Sequence, residues 1–319
     1  MNLVEPEVFL IAETRVNGGA LDAALRVIDP SQANTGVAWL RNTLGRPIPD
    51  EFFMQTNEEE LFVRHHDKLK GELLVQVAGR ICYKSFGEGL NPNVKKIRKS
   101  SKDYFKNILK KGDGSILEHS TMTFAILNVS RVFTHELVRH RVGVAISQES
   151  GRYVRIDEEH PMRAWLPDLS EFNEFLKPEH RKKKQLQRSL LSTGLMGNSQ
   201  GDGLAETMRN SEIEYLHLQN RYDWDAMSFD AKKKLTSALR RALPNGMAND
   251  IIWTVNHREF RHALTMRSAE AAEVEMRQVF GGLMAPMVVP RYPLIYQDFR
   301  QIKADDGGPD IWRPRNQKV

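Results

Sequence analysis

Apolar and polar positions repeat with two periods along the chain, one of about 3.6 residues and one of two. Val8 to Ala12 (Val-Phe-Leu-Ile-Ala) is a short apolar run fit for a buried strand, and Gly18 and Gly19 punctuate it. Leu21 to Ile28 has the spacing of a helix, which Asp29-Pro30-Ser31 breaks. Residues 30 to 60 are mixed and carry no clear period. From Glu58 to Ile81 the apolar residues Leu61, Leu69, Leu73, Leu74 and Val77 fall at helical spacing, with Gly79 and Arg80 near the end. Asn91-Pro92-Asn93 predicts a turn, and Val94 to Lys111 a basic amphipathic helix. Thr121 to Val129 alternates, with Thr121, Thr123, Ala125 and Leu127 on one face and Met122, Phe124 and Ile126 on the other, so it predicts a strand. Ser130 to His140 predicts a helix that buries Val132, Phe133 and Leu137.

The second half is less regular at first. Residues 167 to 205 are the least organised; His180 to Leu191 carries a helical pattern, whereas Ser192 to Gly203 is rich in Gly, Ser and Asn and reads as a loop or inserted segment. Ala205 to Tyr222 and Phe229 to Leu243 predict helices, the second stopped by Pro244-Asn245-Gly246. Glu259 to Met266 predicts a helix with Phe260, Ala263 and Leu264 inward. Beyond Arg300 the chain turns polar (Ala304-Asp-Asp-Gly-Gly-Pro309) and reads as a loosely held tail. Neither internal repeats nor a domain linker is visible.

Composition narrows the class. The chain has 319 residues, 40% hydrophobic and 27% charged, as in a soluble globular protein. No apolar run approaches a membrane span, and Met1 to Leu10 carries two glutamates and no basic region, unlike a signal peptide, so the cytoplasm is the default location. A net charge of +5 and a pI of about 9.2 suit nucleic acid or anionic small molecules such as nucleotides and folates. The densest basic run, Arg181 to Lys184, has no interleaved aromatics and reads as a solvated helix face. Cys82 is the one cysteine, which excludes an intrachain disulfide and a cysteine-based zinc cluster; no metal site is expected. Its place after Leu73, Leu74 and Val77 predicts a small buried hydrophobe, although Arg80 and Lys84 could lower its pKa and make it a nucleophile.

Two clusters carry candidate chemistry. Arg139 to Tyr153 reads Arg-His-Arg-Val-Gly-Val-Ala-Ile-Ser-Gln-Glu-Ser-Gly-Arg-Tyr, and Glu136 lies three and four residues before Arg139 and His140, in reach of an ordinary ion pair. Three cations closing a helix would favour its negative end, but this does not account for the polar run Ser147 to Tyr153. Asn256 to Arg277 is the second cluster, where Asn256, Arg258, His262 and Arg267 project from one short region. Between α-helical and strand patterns, Gly112 to His119 (Gly-Asp-Gly-Ser-Ile-Leu-Glu-His) permits tight backbone, with Ser115 as an N-cap or phosphate donor.

Arg-His-Arg followed by the spaced Ser150-Gly151-Arg152-Tyr153 resembles the signature of the flavin-dependent thymidylate synthases, the ThyX family, with one more residue between Arg141 and Ser150 than the commonest form. Ser115, Glu118 and His119 match a second family segment in which Asp113 replaces a histidine. Asn256, Arg258, His262 and Arg267 match a third, continued by a helix over Ala271 to Arg277, and Arg240 matches an arginine shortly before Leu-Pro, in competition with Arg241. The resemblance covers roughly residues 75 to 165 and 205 to 290. It implies an α+β fold, a central, mostly antiparallel sheet with flanking helices. It implies one catalytic domain over 1–303, with 167–205 as an insertion and 304–319 as a polar C-terminal tail.

The resemblance also implies reductive methylation of dUMP to dTMP, with FAD as cofactor, methylenetetrahydrofolate as carbon donor, NADPH as reductant, and a homotetramer with shared sites. Arg267 would be catalytic, stabilising negative charge on the pyrimidine. Glu136, Arg139, Gln148, Glu149, Ser150, Gly151, Arg152, Arg240 and Arg267 would hold the nucleotide. Ser115, Arg139, His140, Arg141, Gln148, Asn256, Arg258 and His262 would hold FAD. Two rival readings stand beside it. One is a related C5-methylase acting on UMP; the other is a basic RNA-binding protein, prompted by the pI and the Val94 to Lys111 pattern, which leaves both arginine clusters unexplained. Neither nucleic acid nor membrane is an expected partner.

Overall fold

The computed structural model describes residues 1–28, 35–44, 70–87, 90–167 and 200–319. Strands β1 (Asn2–Leu3) and β2 (Glu7–Glu13) are followed by helices α1 (Gly18–Ile28), α2 (Thr35–Leu44) and α3 (Gly71–Tyr83). Helix α4 (Ser101–Lys111) and a 3₁₀ turn (Gly114–His119) lead into β3 (Thr121–Ser130), α5 (Arg131–Leu137) and β4 (Val144–Gln148). Then come β5 (Arg163–Ala164), α6 (Gln200–Gln219), α7 (Phe229–Leu239), β6 (Ala248–Asn256) and α8 (His257–Arg267). One further helix runs as α9 (Val274–Arg277), a π segment (Gln278–Met284) and α10 (Ala285–Val288), and the hairpin β7 (Phe299–Ile302) and β8 (Ile311–Pro314) closes the chain.

The expected α+β class with a central antiparallel sheet is what forms. The main sheet has the order β2-β3-β6-β4, and each neighbouring pair is antiparallel. Pairing sets Met122 opposite Val255, Phe124 opposite Trp253 and Ile126 opposite Ile251, all inward. Phe133, Phe260, Phe280 and Met284 from α5, α8 and the π segment cover that face, so one hydrophobic core joins the sheet to the helices that carry the arginine clusters. The other face is open. Phe9, Ile11 and Ile252 lie exposed on it, beside the Thr123–Thr254 pair. Val8 to Ala12 is therefore an edge strand with only Val8 and Leu10 packed against the core, rather than a buried one, and it carries a bulge at Ile11.

Several boundaries move for local reasons. The helix expected over 94–111 starts at Ser101, because the Ser100 hydroxyl accepts from the Asp103 amide and caps it there. The helix expected over 130–140 ends at Leu137, and Val132 is exposed, while Thr134 takes the buried position. Helix α6 begins at Gln200, inside the stretch expected to be a loop up to Gly203. The helix expected from Ala271 begins at Val274, where the Glu273 carboxylate accepts from the amides of Glu275 and Met276. Cys82 is exposed on α3, its thiol directed at the Ala78 carbonyl oxygen at 3.3 Å, so it is not a core residue. The patterns at 58–69 and at 180–191, including Arg181 to Lys184, lie outside the described residues.

The C-terminal segment is anchored rather than loose. Trp312 is buried; its amide donates to the Ser268 hydroxyl at 3.0 Å and its indole N–H to the Gly281 carbonyl oxygen at 3.1 Å. Asn316 donates to Asp298 at 3.0 Å, and Arg277 reaches Asp306 in an ion pair. Among the described residues, no helix is long and apolar enough to cross a membrane.

Candidate active site

Helix α5 leaves its first amides unpaired by its own turn, as every helix does. Here the turn at Pro244-Asn245-Gly246 meets them: the amides of Arg131 and Val132 donate to the Asn245 carbonyl oxygen at 2.9 and 3.3 Å. This docking sets Arg131 beside Arg240, at one end of a cavity of about 580 Å³. Glu149, Gly151, His135, Arg155 and Arg163 also line it. Arg163 is neutralised by Asp250 at 3.0 Å and Glu149 at 3.1 Å. Arg131 has no such carboxylate partner among the described residues, and burial, followed by repulsion from Arg240, lowers its pKa from the ordinary value. Two guanidinium groups pushed together without a shared carboxylate form a site for an anion.

A smaller cavity of about 300 Å³ is lined by Arg139, His140, Arg141, Glu259, His262 and Arg267, among others, and shares no residue with the first. Its centre is a relay. Arg267 donates from Nε to His140 Nε2 at 2.9 Å and from Nη1 to Glu136 at 2.5 Å, while His140 Nδ1 meets Glu259 at 2.8 Å. Because Nε2 accepts from a guanidinium, the His140 ring donates from Nδ1 to Glu259. The fork of Arg267 is thus fixed on two sides before any ligand arrives. Arg139 and Arg141, both exposed, have no side-chain partner among the described residues.

The backbone that makes this possible turns at Gly143, with φ of +68°. A Cβ there would lie 1.8 Å from the side-chain amide nitrogen of Asn256. The Asn256 side chain caps α8 by accepting from the Glu259 amide at 2.8 Å, and the Asn256 backbone amide donates to the Gly143 carbonyl oxygen at 3.0 Å. Asn256-x-x-Glu259 has the form of a capping box, but the Glu259 carboxylate turns to His140 instead.

The residues expected to act thus fall in separate places. Glu149, Gly151 and Arg240 line the large cavity; Arg139, His140, Arg141, His262 and Arg267 line the small one, with Glu136 bonded to Arg267. Gln148 is tied to Thr134 at 3.1 Å, and Ser150 and Arg152 line neither cavity, the Arg152 amide donating to the Ser150 hydroxyl. Ser115 is exposed on the 3₁₀ turn, where Arg258 pairs with Glu118 at 2.5 Å, and Asn256 is 4% exposed and serves as a cap. The ion pair open to Glu136 and Arg139 does not form, since Glu136 takes Arg267. His140, Glu259 and His262 bring ligand atoms within 4.8 Å of one another, but the lone pair of His140 Nε2 is already occupied by Arg267. Arg131 and Glu259 are the residues that reading the chain passes over.

Cation-lined cavities on an antiparallel α+β core, one of them around a pre-fixed arginine, have the charge and shape suited to anionic small molecules. The chain belongs to the thymidylate synthase complementing protein family, whose model matches residues 65–293. It is 31% identical over 237 residues to a flavin-dependent thymidylate synthase of Corynebacterium diphtheriae, covering 74% of this chain and 82% of that one. A protein of the same description from Mycobacterium marinum is 30% identical over 238 residues, 74% and 83% of the two chains. A solved structure, the UMP/dUMP methylase PolB from Streptomyces cacaoi bound with 5-Br dUMP, aligns with a TM-score of 0.49 at 14% identity, over 93% of this chain and 96% of that one. That last likeness is too loose to bear on function.

Proposed function

We propose that this enzyme is a flavin-dependent thymidylate synthase that methylates C5 of dUMP, with FAD as cofactor, methylenetetrahydrofolate as carbon donor and NADPH as reductant. The observation that carries the reading is the meeting of Arg267 with His140, 127 residues away in sequence, at one cavity that also holds Arg139 and Arg141. Negative charge develops on the pyrimidine as C5 acts as a nucleophile, and a planar fork already held by Glu136 and His140 is placed to stabilise it without reorganising. Arg131 and Arg240 would hold the nucleotide phosphate. The donor set of the small cavity fits a flavin: two unpaired guanidinium groups, His262 and the ordered Arg267 suit a planar, anionic dinucleotide. When bound, the flavin supplies the redox chemistry of the transfer. Ser115, Gln148, Asn256 and Arg258 are read as further flavin contacts, and Ser150, Gly151 and Arg152 as nucleotide contacts.

A homotetramer with shared sites follows from the same reading. Its supports are the open sheet face bearing Phe9, Ile11 and Ile252, and the division of the nucleotide residues between two cavities within one chain. The experiment is direct. Purified protein is titrated with FAD and followed by absorption and fluorescence, then assayed for product with dUMP and with UMP in parallel. A yellow, FAD-binding protein that converts dUMP supports the reading; conversion of UMP alone would reassign the substrate, and saturating FAD without any spectral change would overturn it.

A further inference from the structure

A third concentration of positive charge lies away from both cavities, where the end of α3 meets the stretch before α4. Arg80 is 1% exposed there and donates to the carbonyl oxygens of Ser85 at 2.5 Å and Arg98 at 2.8 Å. The rings of Trp39 and Tyr104 lie 5.0 and 4.7 Å from its guanidinium carbon. Carbonyl dipoles and ring faces ease the burial of a cation, yet no carboxylate pairs with Arg80 among the described residues. Such a charge is ordinarily paired.

Beside it opens a cavity of about 280 Å³, lined by Lys95, Lys96, Arg98 and Lys111 as well as Arg80, against one carboxylate, Asp113. None of these cations is in an ion pair among the described residues. Tyr104, 7% exposed, lines the same cavity, and its buried hydroxyl has no hydrogen-bond partner. A solvated helix face would account for the exposed lysines, but not for a buried guanidinium beneath them that is held by carbonyl oxygens without a carboxylate; the Tyr104 hydroxyl is turned to Gly79 and takes no part. Lysine ammonium groups act as point charges well suited to phosphate.

We propose that this cavity binds a phosphate group of a small molecule, with Lys95, Lys96 and Lys111 contacting it from the rim and Arg80 as the fixed charge beneath. The site shares no residue with the other two cavities, so it is separable from the nucleotide and flavin sites. Either a free polyphosphate anion or the phosphates of a dinucleotide would satisfy it.

The test is calorimetric titration of the full chain with sodium pyrophosphate at low and high salt. It is repeated in Lys95→Gln/Lys96→Gln/Lys111→Gln, which alters only exposed side chains and whose melting temperature is checked. Both titrations are made in an Arg240→Ala background, which removes the anion site of the large cavity, so that the remaining binding is read at Lys95, Lys96 and Lys111. Expected are binding that weakens steeply with salt and at least a tenfold loss of affinity when the triple substitution is added. Displacement of pyrophosphate by NADPH identifies a dinucleotide as the source; no displacement identifies a free anion. No detectable binding at millimolar pyrophosphate, or equal affinity in the folded protein with and without the triple substitution, would overturn the proposal.

Discussion

Arg267 clamps Glu136 twice, donating from Nη1 to its carboxylate at 2.5 Å and from Nη2 to its main-chain carbonyl oxygen at 3.2 Å. The end of α8 is thereby fastened to the end of α5. The same contact takes Glu136 away from Arg139, which leaves Arg139 and Arg141 as open cations on the cavity rim.

This clamp sets the expected behaviour of Arg267 variants. Arg267→Ala should lower turnover by about two to three orders of magnitude, the usual loss for one pre-oriented donor at developing charge. Flavin affinity should change far less. Arg267→Lys should recover little, because an ammonium group cannot bridge Glu136 and His140 at once. Single-turnover kinetics together with flavin titration check this; near-normal turnover in either variant would move the catalytic role elsewhere.

Cys82 tests the chemical route. It is exposed on the outside of α3 and lines none of the three cavities described. Cys82→Ala should keep most of its activity and, as a surface change, alter stability by less than about 0.5 kcal/mol. A folded, flavin-loaded variant without activity would restore covalent attack by the thiol on the pyrimidine.

Gly143 tests the backbone that joins the clusters. Gly143→Ala places a methyl group on the Asn256 side-chain amide at a left-handed φ, so it carries the conformational cost of about 1–2 kcal/mol and disturbs the cap of α8. Asn256→Ala should lose only the cap, about 1 kcal/mol. Denaturant midpoints of the two variants decide the order; a Gly143→Ala protein as stable as Asn256→Ala would refute the steric account.

Glu275 gives a pH signature. It is buried, accepts from the Ser130 amide at 2.7 Å and from the Ser130 hydroxyl, and anchors the start of α5. Burial pushes its carboxyl up to about 7 against those hydrogen bonds. The folded protein therefore holds a proton that the unfolded chain releases near 4.5. The stability this contributes is complete below that lower value and is lost as pH rises through about 7. Glu275→Gln removes the titration. The wild-type advantage over this variant should shrink between pH 5 and 8 by on the order of 2 kcal/mol, read as melting temperatures across the range. A constant difference between the two proteins would refute it.

Much of the core was legible because alternation and helical spacing report burial directly: Met122, Phe124 and Ile126 face in, as do Phe260, Ala263 and Leu264. Strand β6 was hidden because Ile251, Ile252 and Trp253 run together without a polar break, although only Ile251 and Trp253 face the core. Composition misled at the C-terminus. The polar stretch at 304–309 precedes Trp312, whose partners Ser268 and Gly281 are distant in sequence. Arg131 reads as one more helix residue until the turn at 244–246 docks onto α5 and sets Arg240 next to it. Glu259 reads as half of a capping box, and only the Gly143–Asn256 contact, which occupies the Asn256 backbone amide, releases its carboxylate to His140.

The separation of the Arg131–Arg240 cavity from the Arg267 cavity has a consequence for mixtures of damaged subunits. If each working centre draws Arg240 from one chain and Arg267 from another, then Arg240→Ala and Arg267→Ala proteins, each inert alone, carry complementary defects. Unfolded together and reassembled, they would form hybrid oligomers in which some centres receive both intact arginines, and part of the lost turnover would return. Centres confined to a single chain would gain nothing from the exchange.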